Sequence, residues 1–312
     1  MSDLIEPTPF PGSGDDRAVP FQIERSGLRG RIVRLGPALN LILSRHAYPA
    51  PVAALLGETL TLAVLMATAL KFDGIFTLQV KGAGPVSVLV ADVTSQGAIR
   101  GYAGYDSDGV QRTAPDAEAG AITSWLGKGH LAFTVDQGEH TQRYQGIVEL
   151  TGDTLAECLQ HYFRQSEQID AGIQLAVGAS AAGDWRGAGL MIQRLPGTQV
   201  NALPADREDD WRRAMVLMAS VTSDELLDPS LPSGDLLYRL FHEDGVRVFD
   251  PVTLEAVCRC SDDKVTKVLA ALPKDEVADL TAEDGKVHVT CEFCTRDYAF
   301  SPEQLEKLYG AA

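Results

Sequence analysis

VCRC (Val257–Cys260) and TCEFC (Thr290–Cys294) stand near the end of a 312-residue chain with only five cysteines. Cys258, Cys260, Cys291 and Cys294 thus lie together in its last fifth, spaced C-x-C-x30-C-x2-C. Four thiolates are soft ligands, and four are enough to close a tetrahedral zinc site. C-x-x-C at a turn is a common zinc-knuckle spacing; C-x-C is a less usual pair, but its two sulfurs can share one ion. The pattern therefore reads as a small C-terminal domain built around one zinc ion per chain.

The segments around the cysteines fit that domain, which we place at residues 251–312. SDDKVTKVLAALP reads as a helix capped by Ser261. KVHVTCEFCTRDYAF reads as a hairpin with C-E-F-C at its turn, and SPEQLEKLYG as a helix capped by Ser301 with Pro302 first. His288 lies nearby, but four thiolates already fill the site, so it reads as an outward strand residue. A domain of about sixty residues with few large apolar side chains is marginal alone, and structural zinc contributes ~10–16 kcal/mol to folding. On composition alone the plainest role for such a site is a permanent structural one. Two features favour a switch. Each thiol has a close neighbour, so oxidation could pair Cys258 with Cys260 and Cys291 with Cys294, and a disulfide across C-x-C closes a tight, easily reduced ring. The segment just upstream also looks weak.

That segment, residues 201–250, breaks into short helical pieces: ALPADREDDWRRAMVLMASV, TSDELLD with a Thr222/Glu225 capping box, and SGDLLYRLFHEDG. Pro229 and Pro232 interrupt them, and isolated helices of this length are marginal in water. Trp211, Met215, Leu236, Leu237, Leu240 and Phe241 need a surface to bury against. We read a metastable helical linker that depends on docking to its neighbours.

Residues 21–200 mix apolar β-rich runs and helices, an α+β pattern with mostly antiparallel sheet. FQIERSGLRGRIVRL reads as a strand pair hinged at Gly27 and Gly30. ALNLILSRH reads as a helix whose last turn carries Arg45 and His46. IFTLQVKG and GPVSVLVADV flank the turn GAGP, and HLAFTVDQG pairs with QRYQGIVEL through Gly138. TLAECLQHYFRQSEQID is a helix opening at Thr151 to Thr154. Cys158 within it reads as a buried, inert thiol. PVAALLGETLTLAVLMATALKF (Pro51–Phe72) is the most apolar stretch. Glu58 interrupts it and the uncharged run is too short for a bilayer, so it reads as a buried core helix. Residues 1–20 read as a disordered leader without a signal peptide. A cytoplasmic setting follows, where paired cysteines mean metal or redox chemistry before structural disulfides.

The net charge of −16 disfavours nucleic acid and membrane surfaces as partners. No phosphate-binding loop, H-E-x-x-H or G-x-S-x-G motif is present, which argues against an enzyme. His46, His130, His140, His161 and His242 form no metal spacing. A thiol–disulfide oxidoreductase, or a zinc-ribbon module with a purely structural zinc, are the alternatives. A redox C-x-x-C normally opens a helix, whereas this one sits in a hairpin beside a second cysteine pair.

VCRC followed by TCEFCTRDYAFS resembles the zinc tail of the heat shock protein 33 family, the bacterial redox-regulated holdase chaperones. SRHAYP (Ser44–Pro49), ALKFDGIFTLQVKGAGPVSVLVAD (Ala69–Asp92), RGYA (Arg100–Ala103), LAECLQHYFRQSEQI (Leu155–Ile169) and GLMIQRLPG (Gly189–Gly197) resemble that family's folded domain. The stretch Asp206–Asp210 looks like a local addition. The resemblance implies that Cys258, Cys260, Cys291 and Cys294 bind zinc in the reduced, inactive protein. Oxidants such as hypochlorite, or peroxide with heat, then form the disulfides Cys258–Cys260 and Cys291–Cys294 and expel the zinc. Tail and linker unfold, and the protein dimerises and holds unfolding client proteins without ATP.

Overall fold

The computed structural model describes residues 14–113, 121–138, 143–195, 204–273, 276–277, 280–282 and 284–310. Most of the expected leader, the Pro196-Gly197 turn and the first residues of the expected linker lie outside these. The chain divides into two compact units, Met1–Ala256 and Val257–Ala312.

Two sheets build the first unit, and every strand pair but one is antiparallel. The first contains β1 (Arg17–Ile23) and β2 (Leu28–Leu35). The second contains β3 (Ile75–Gly82), β4 (Val86–Thr94), β5 (Ala98–Tyr105), β6 (Gly129–Asp136) and β7 (Tyr144–Glu149). The chain then returns to the first sheet through β8 (Asp170–Ala179), β9 (Trp185–Arg194), the three-residue β10 (Val246–Val248) and the two-residue β11 (Val252–Thr253). The two-residue β12 (Glu255–Ala256) joins the second. The orders are β10-β1-β2-β9-β8, with β11 also on β1, and β12-β5-β4-β3-β6-β7; β12 runs parallel to β5. Gly27 (φ 65°) makes the β1–β2 turn, whereas Gly30 lies inside β2. Residues 17–20, expected in the leader, are part of β1. Just before them Asp16 accepts hydrogen bonds from the amides of Gly36 and Ala38.

Helix α1 (Pro37–Ser44) ends before Arg45 and His46, which therefore do not occupy its last turn as expected; Ala47 (φ 46°) turns the chain there. Helix α2 (Ala50–Ala69) packs against β2, β8 and β9 of one sheet and β3, β4 and β5 of the other. That sandwiching explains why it is apolar all round. It is long and apolar enough to cross a membrane by composition, yet 78% of its most apolar window is buried inside the protein, as a core helix is. Burial also pushes the Glu58 carboxyl up to about 7. Two short helices, α3 (Ser107–Thr113) and α4 (Ile122–Leu126), lie between β5 and β6. Helix α5 (Leu155–Tyr162), capped by Thr154, runs into a π turn over Phe163–Glu167.

The first sheet has two apolar faces. Ala18, Val33 and Leu35 point to the core around α2. Val19, Phe21, Ile23, Leu28, Ile32, Leu190 and Ile192 point the other way, as the period of two requires. That second face is covered by α6 (Pro204–Ala219), α7 (Ser223–Leu227) and α8 (Ser233–Phe241). On α8, Leu236, Leu237, Leu240 and Phe241 are buried in one stripe, and Phe241 stacks on Phe21 at 5.9 Å. Trp211 and Met215 of α6 pack on the same cluster. The Thr222/Glu225 capping box on α7 forms as its spacing predicts.

A polar clamp holds α7 and the turn after it. Arg34 of β2 is 3% exposed and donates to the carbonyls of Glu225 (2.9 Å), Asp228 (2.6 Å) and Leu231. Arg186 of β9 donates to the Leu227 carbonyl at 2.7 Å and grips Asp15 with both guanidinium nitrogens. Arg34→Met would remove a donor from three carbonyls, costing about 1–3 kcal/mol. Amide exchange in residues 222–241 should accelerate by roughly 10- to 100-fold with α2 unaffected; unchanged exchange would show that the clamp contributes nothing.

The second unit comprises α9 (Asp262–Ala270), the hairpin β13 (Val287–Thr290) and β14 (Asp297–Phe300), and α10 (Pro302–Gly310). Ser261 caps α9, and Ser301 caps α10 reciprocally with Gln304. Its core is small: Val265, Leu269, Val277, Val287, Tyr298 and Phe300.

Candidate metal centre

The four tail cysteines converge, although the two motifs are far apart in sequence. Cys258 and Cys260 lie in the loop between β12 and α9. Cys291 and Cys294 lie in the turn of the β13–β14 hairpin, whose last paired residues are Thr290 and Asp297. The turn is closed by Cys291 N–H to the Arg296 carbonyl at 2.9 Å and Thr295 N–H to the Cys291 carbonyl at 2.8 Å, with Thr295 in the left-handed region (φ 58°). On the other side, Ser261 caps α9 and Lys264 Nζ donates to the Arg259 carbonyl at 2.7 Å, which fixes the C-x-C loop.

All four Sγ atoms lie within 4.8 Å of one another, and all four thiols are free and half-buried. Cys258 and Cys291 sulfurs are 3.7 Å apart, and Cys260 and Cys294 sulfurs 3.4 Å apart. Sulfurs at about 2.3 Å from a central tetrahedral ion stand roughly 3.8 Å from one another, so the spacing of the cluster is compatible with a zinc ion. The thiols also polarise one another. Burial raises the Cys258 thiol, but hydrogen bonds from the Cys260 amide and the other three thiols outweigh it and bring it down to about 6. Burial, together with its role as donor to its neighbours, pushes Cys294 up to about 12. Metal binding requires the cysteines as thiolates, and a bound cation balances their charge. No described histidine joins the cluster. Cys158 is fully buried in α5, where the Gly152 amide approaches its sulfur at 3.4 Å.

His288 faces outward on β13, as expected, and bridges Asp297 (2.8 Å) and Asp284 (3.1 Å) across the hairpin. Hydrogen bonds to Asp297 and then Asp284 raise its pKa above the ordinary value. A raised histidine pKa stabilises the fold below the unfolded value and loses that contribution as pH rises through the folded one. An NMR titration should therefore find His288 titrating above 6.5, its ordinary value, and Asp297→Asn should return it towards that value. An unperturbed His288 would contradict the bridge.

The family model described as Hsp33 protein matches residues 16–301. The chain belongs to the Hsp33 family. A 33 kDa chaperonin of Caulobacter vibrioides is 42% identical over 305 residues, covering 97% of this chain and 99% of the relative. One from Nitrosococcus oceani is 37% identical over 93% of this chain and 92% of its own. The crystal structure of the Hsp33 homologue from Thermotoga maritima superposes with a TM-score of 0.77 at 25% identity, over 95% of this chain and 98% of that one. These relatives are named as chaperones, not enzymes. The α+β fold and the small cysteine-rich C-terminal domain are those of Hsp33. Sequence reasoning on Hsp33 motifs locates the cysteines but misses Arg34, Arg186 and the buried outer sheet face. The available signal was the runs of consecutive apolar residues, Ile32–Val33 on β2 and Leu190–Met191–Ile192 on β9, which place apolar side chains on both faces of the sheet.

Proposed function

We propose that this Hsp33 chain is a redox-regulated, ATP-independent holdase. Reduced, Cys258, Cys260, Cys291 and Cys294 hold one zinc ion as thiolates, residues 251–312 are folded, and the protein is inactive. Oxidation by two equivalents of a two-electron oxidant such as hypochlorite removes four electrons from the thiolates. It forms the disulfides Cys258–Cys260 and Cys291–Cys294 and releases the zinc. Residues 201–250 are the metastable linker, which leaves its docked position when the tail unfolds. The protein then dimerises and binds unfolding clients. The setting is a normally reducing compartment, the cytoplasm.

The observation that carries this reading is that α6–α8 cover a continuous apolar sheet face. The chain runs from the cover to the cysteine cluster through β10, β11 and β12: α8 ends at Phe241, and Cys258 follows β12 by two residues. A bared face of roughly a few hundred Å² suffices for binding apolar partners. Helices α7 and α8, of 5 and 9 residues, are too short to persist undocked. The neighbouring disulfide pairing rests on sequence proximity and family likeness, since the short 3.7 and 3.4 Å sulfur contacts join the two motifs. Peptide mapping of the mildly oxidised protein should recover the two neighbouring disulfides. The same sample should suppress aggregation of a heat-unfolded client without nucleotide. Bridges between the motifs, or equal suppression by the reduced protein, would overturn the assignment.

A further inference from the structure

Within the first unit, a cavity of about 380 Å³ opens at the C-terminal end of α2, walled by both sheets. Its apolar wall includes Met66, Phe133 and Phe163, all at least nine-tenths buried. Leu70 and Tyr144, 44% and 47% exposed, stand at its mouth, so the cavity is reachable from solvent. The volume falls in the range of small-molecule sites.

Its polar groups are few and convergent. The hydroxyls of Tyr144 and Tyr162 both donate to Glu167 Oε1, at 2.5 and 2.6 Å. Glu167 Oε2 has no partner among the described residues. The Gln193 side chain lines the cavity, is 93% buried by its 7% exposure, and likewise has no hydrogen-bond partner among the described residues. Glu167 is set in place by the π turn Phe163–Glu167, which closes through Ile169 N–H to the Phe163 carbonyl at 3.0 Å with Gln168 left-handed (φ 57°). Single π turns of this kind occur often at functional sites. Among the described residues, no lysine, arginine or histidine lines the cavity. The hydrogen bond to Glu167 raises the Tyr144 phenol, and burial followed by that same hydrogen bond raises Tyr162, so both remain neutral donors.

The ligand class follows from this inventory. An anion would face the carboxylate without a counter-charge. A purely apolar molecule would leave Glu167 Oε2 and the Gln193 amide desolvated and unpaired, which disfavours it. A cation on an apolar stem satisfies the carboxylate, can take the amide oxygen as a second acceptor, and lies among aromatic rings that attract positive charge.

We propose that this cavity binds an organic cation, an ammonium or guanidinium group on an apolar stem. Glu167 and Gln193 hold the charged end and the rings of Phe133, Tyr144, Tyr162 and Phe163 surround it. The cation comes either from a small amine or from a lysine or arginine side chain of a polypeptide. The site is independent of the cysteine cluster and of the linker-covered face.

The test is calorimetric titration of the full-length reduced protein with phenethylammonium chloride and with its neutral counterpart 2-phenylethanol. Two pentapeptides differing only in a central arginine or citrulline form the second arm. The ammonium should bind saturably and at least about fivefold more tightly than the alcohol. Glu167→Gln should erase that preference while leaving the alcohol unchanged. In the unmutated protein, NMR shifts on ammonium binding should centre on the Met66 methyl and the Gln193 side-chain amide, a readout that does not depend on a variant folding. Preferential binding of the arginine peptide assigns the cation to polypeptides; binding of the small amine alone assigns it to free amines. Absence of saturable ammonium binding, equal affinity for the alcohol, shifts elsewhere, or a preference that survives Glu167→Gln would each overturn the proposal.

Discussion

Chelating the metal from the reduced protein should abolish the fold of residues 257–312 while leaving α2 and both sheets of the first unit intact. Among the described residues, the second unit buries Val265, Leu269, Val277, Val287, Tyr298 and Phe300 as its core, and its sheet is a two-stranded hairpin. A lone hairpin is at best marginally stable in water. Metal coordination by the four cysteines would tie the C-x-C loop to the hairpin turn and would contribute ~10–16 kcal/mol, about as much as the whole stability of an ordinary domain. Limited proteolysis with fragment mapping reads the result. Cleavage should concentrate in 257–312 only after chelation, and Cys291→Ser should reproduce the effect at low metal concentration. A metal-free, reduced tail that resists protease would show that side-chain packing alone holds it.

The second large effect lies at the linker. Leu237→Asp should make the protein suppress aggregation in strong reductant with its metal still bound. Leu237 is fully buried between α8 and the sheet. A carboxylate there has no partner, and leaving a charge or polar group buried unpaired costs at least about 3 kcal/mol. That shifts the docking equilibrium by roughly 100-fold or more. Tyr238→Asp is the control, since Tyr238 is 57% exposed on the other face of the same helix and should stay inactive until oxidised. A folded Leu237→Asp protein that is inactive under reductant would contradict the covering role of α8.

The convergence of the four cysteines was legible because cysteine is rare in this chain and its spacing has few chemical uses. The caps on α5, α7, α9 and α10 were legible because a cap is a local hydrogen bond between residues three apart. α2 was legible as a core helix from length and apolarity together. Other features depend on partners distant in sequence. β10, β11 and β12 are two or three residues long, too short for any periodicity, and exist because β1 and β5 offer free edges. They carry the first unit to Ala256, past the expected linker end at residue 250. Arg34 and Arg186 look like ordinary strand arginines until the carbonyls from α7 to Leu231 are laid over them. Glu167 and Gln193 are 26 residues apart and meet only because β8 and β9 pair and the π turn swings Glu167 inward. Asp15 and Asp16 belong to an acidic leader by composition. In the fold, Asp15 pairs with Arg186, and Asp16 accepts the first amides around α1.

The central claim is that the state of the four cysteines decides whether α6–α8 cover the first sheet. Amide hydrogen exchange on one preparation, reduced and metal-loaded and then mildly oxidised, measures this directly. Reduced, the amides of α6 and α8 should be protected. Oxidised, with aggregation suppression present, they should exchange at nearly unfolded rates while β3, β4 and β6 keep their protection. Oxidised protein that suppresses aggregation while α6 and α8 stay as protected as before would contradict the account.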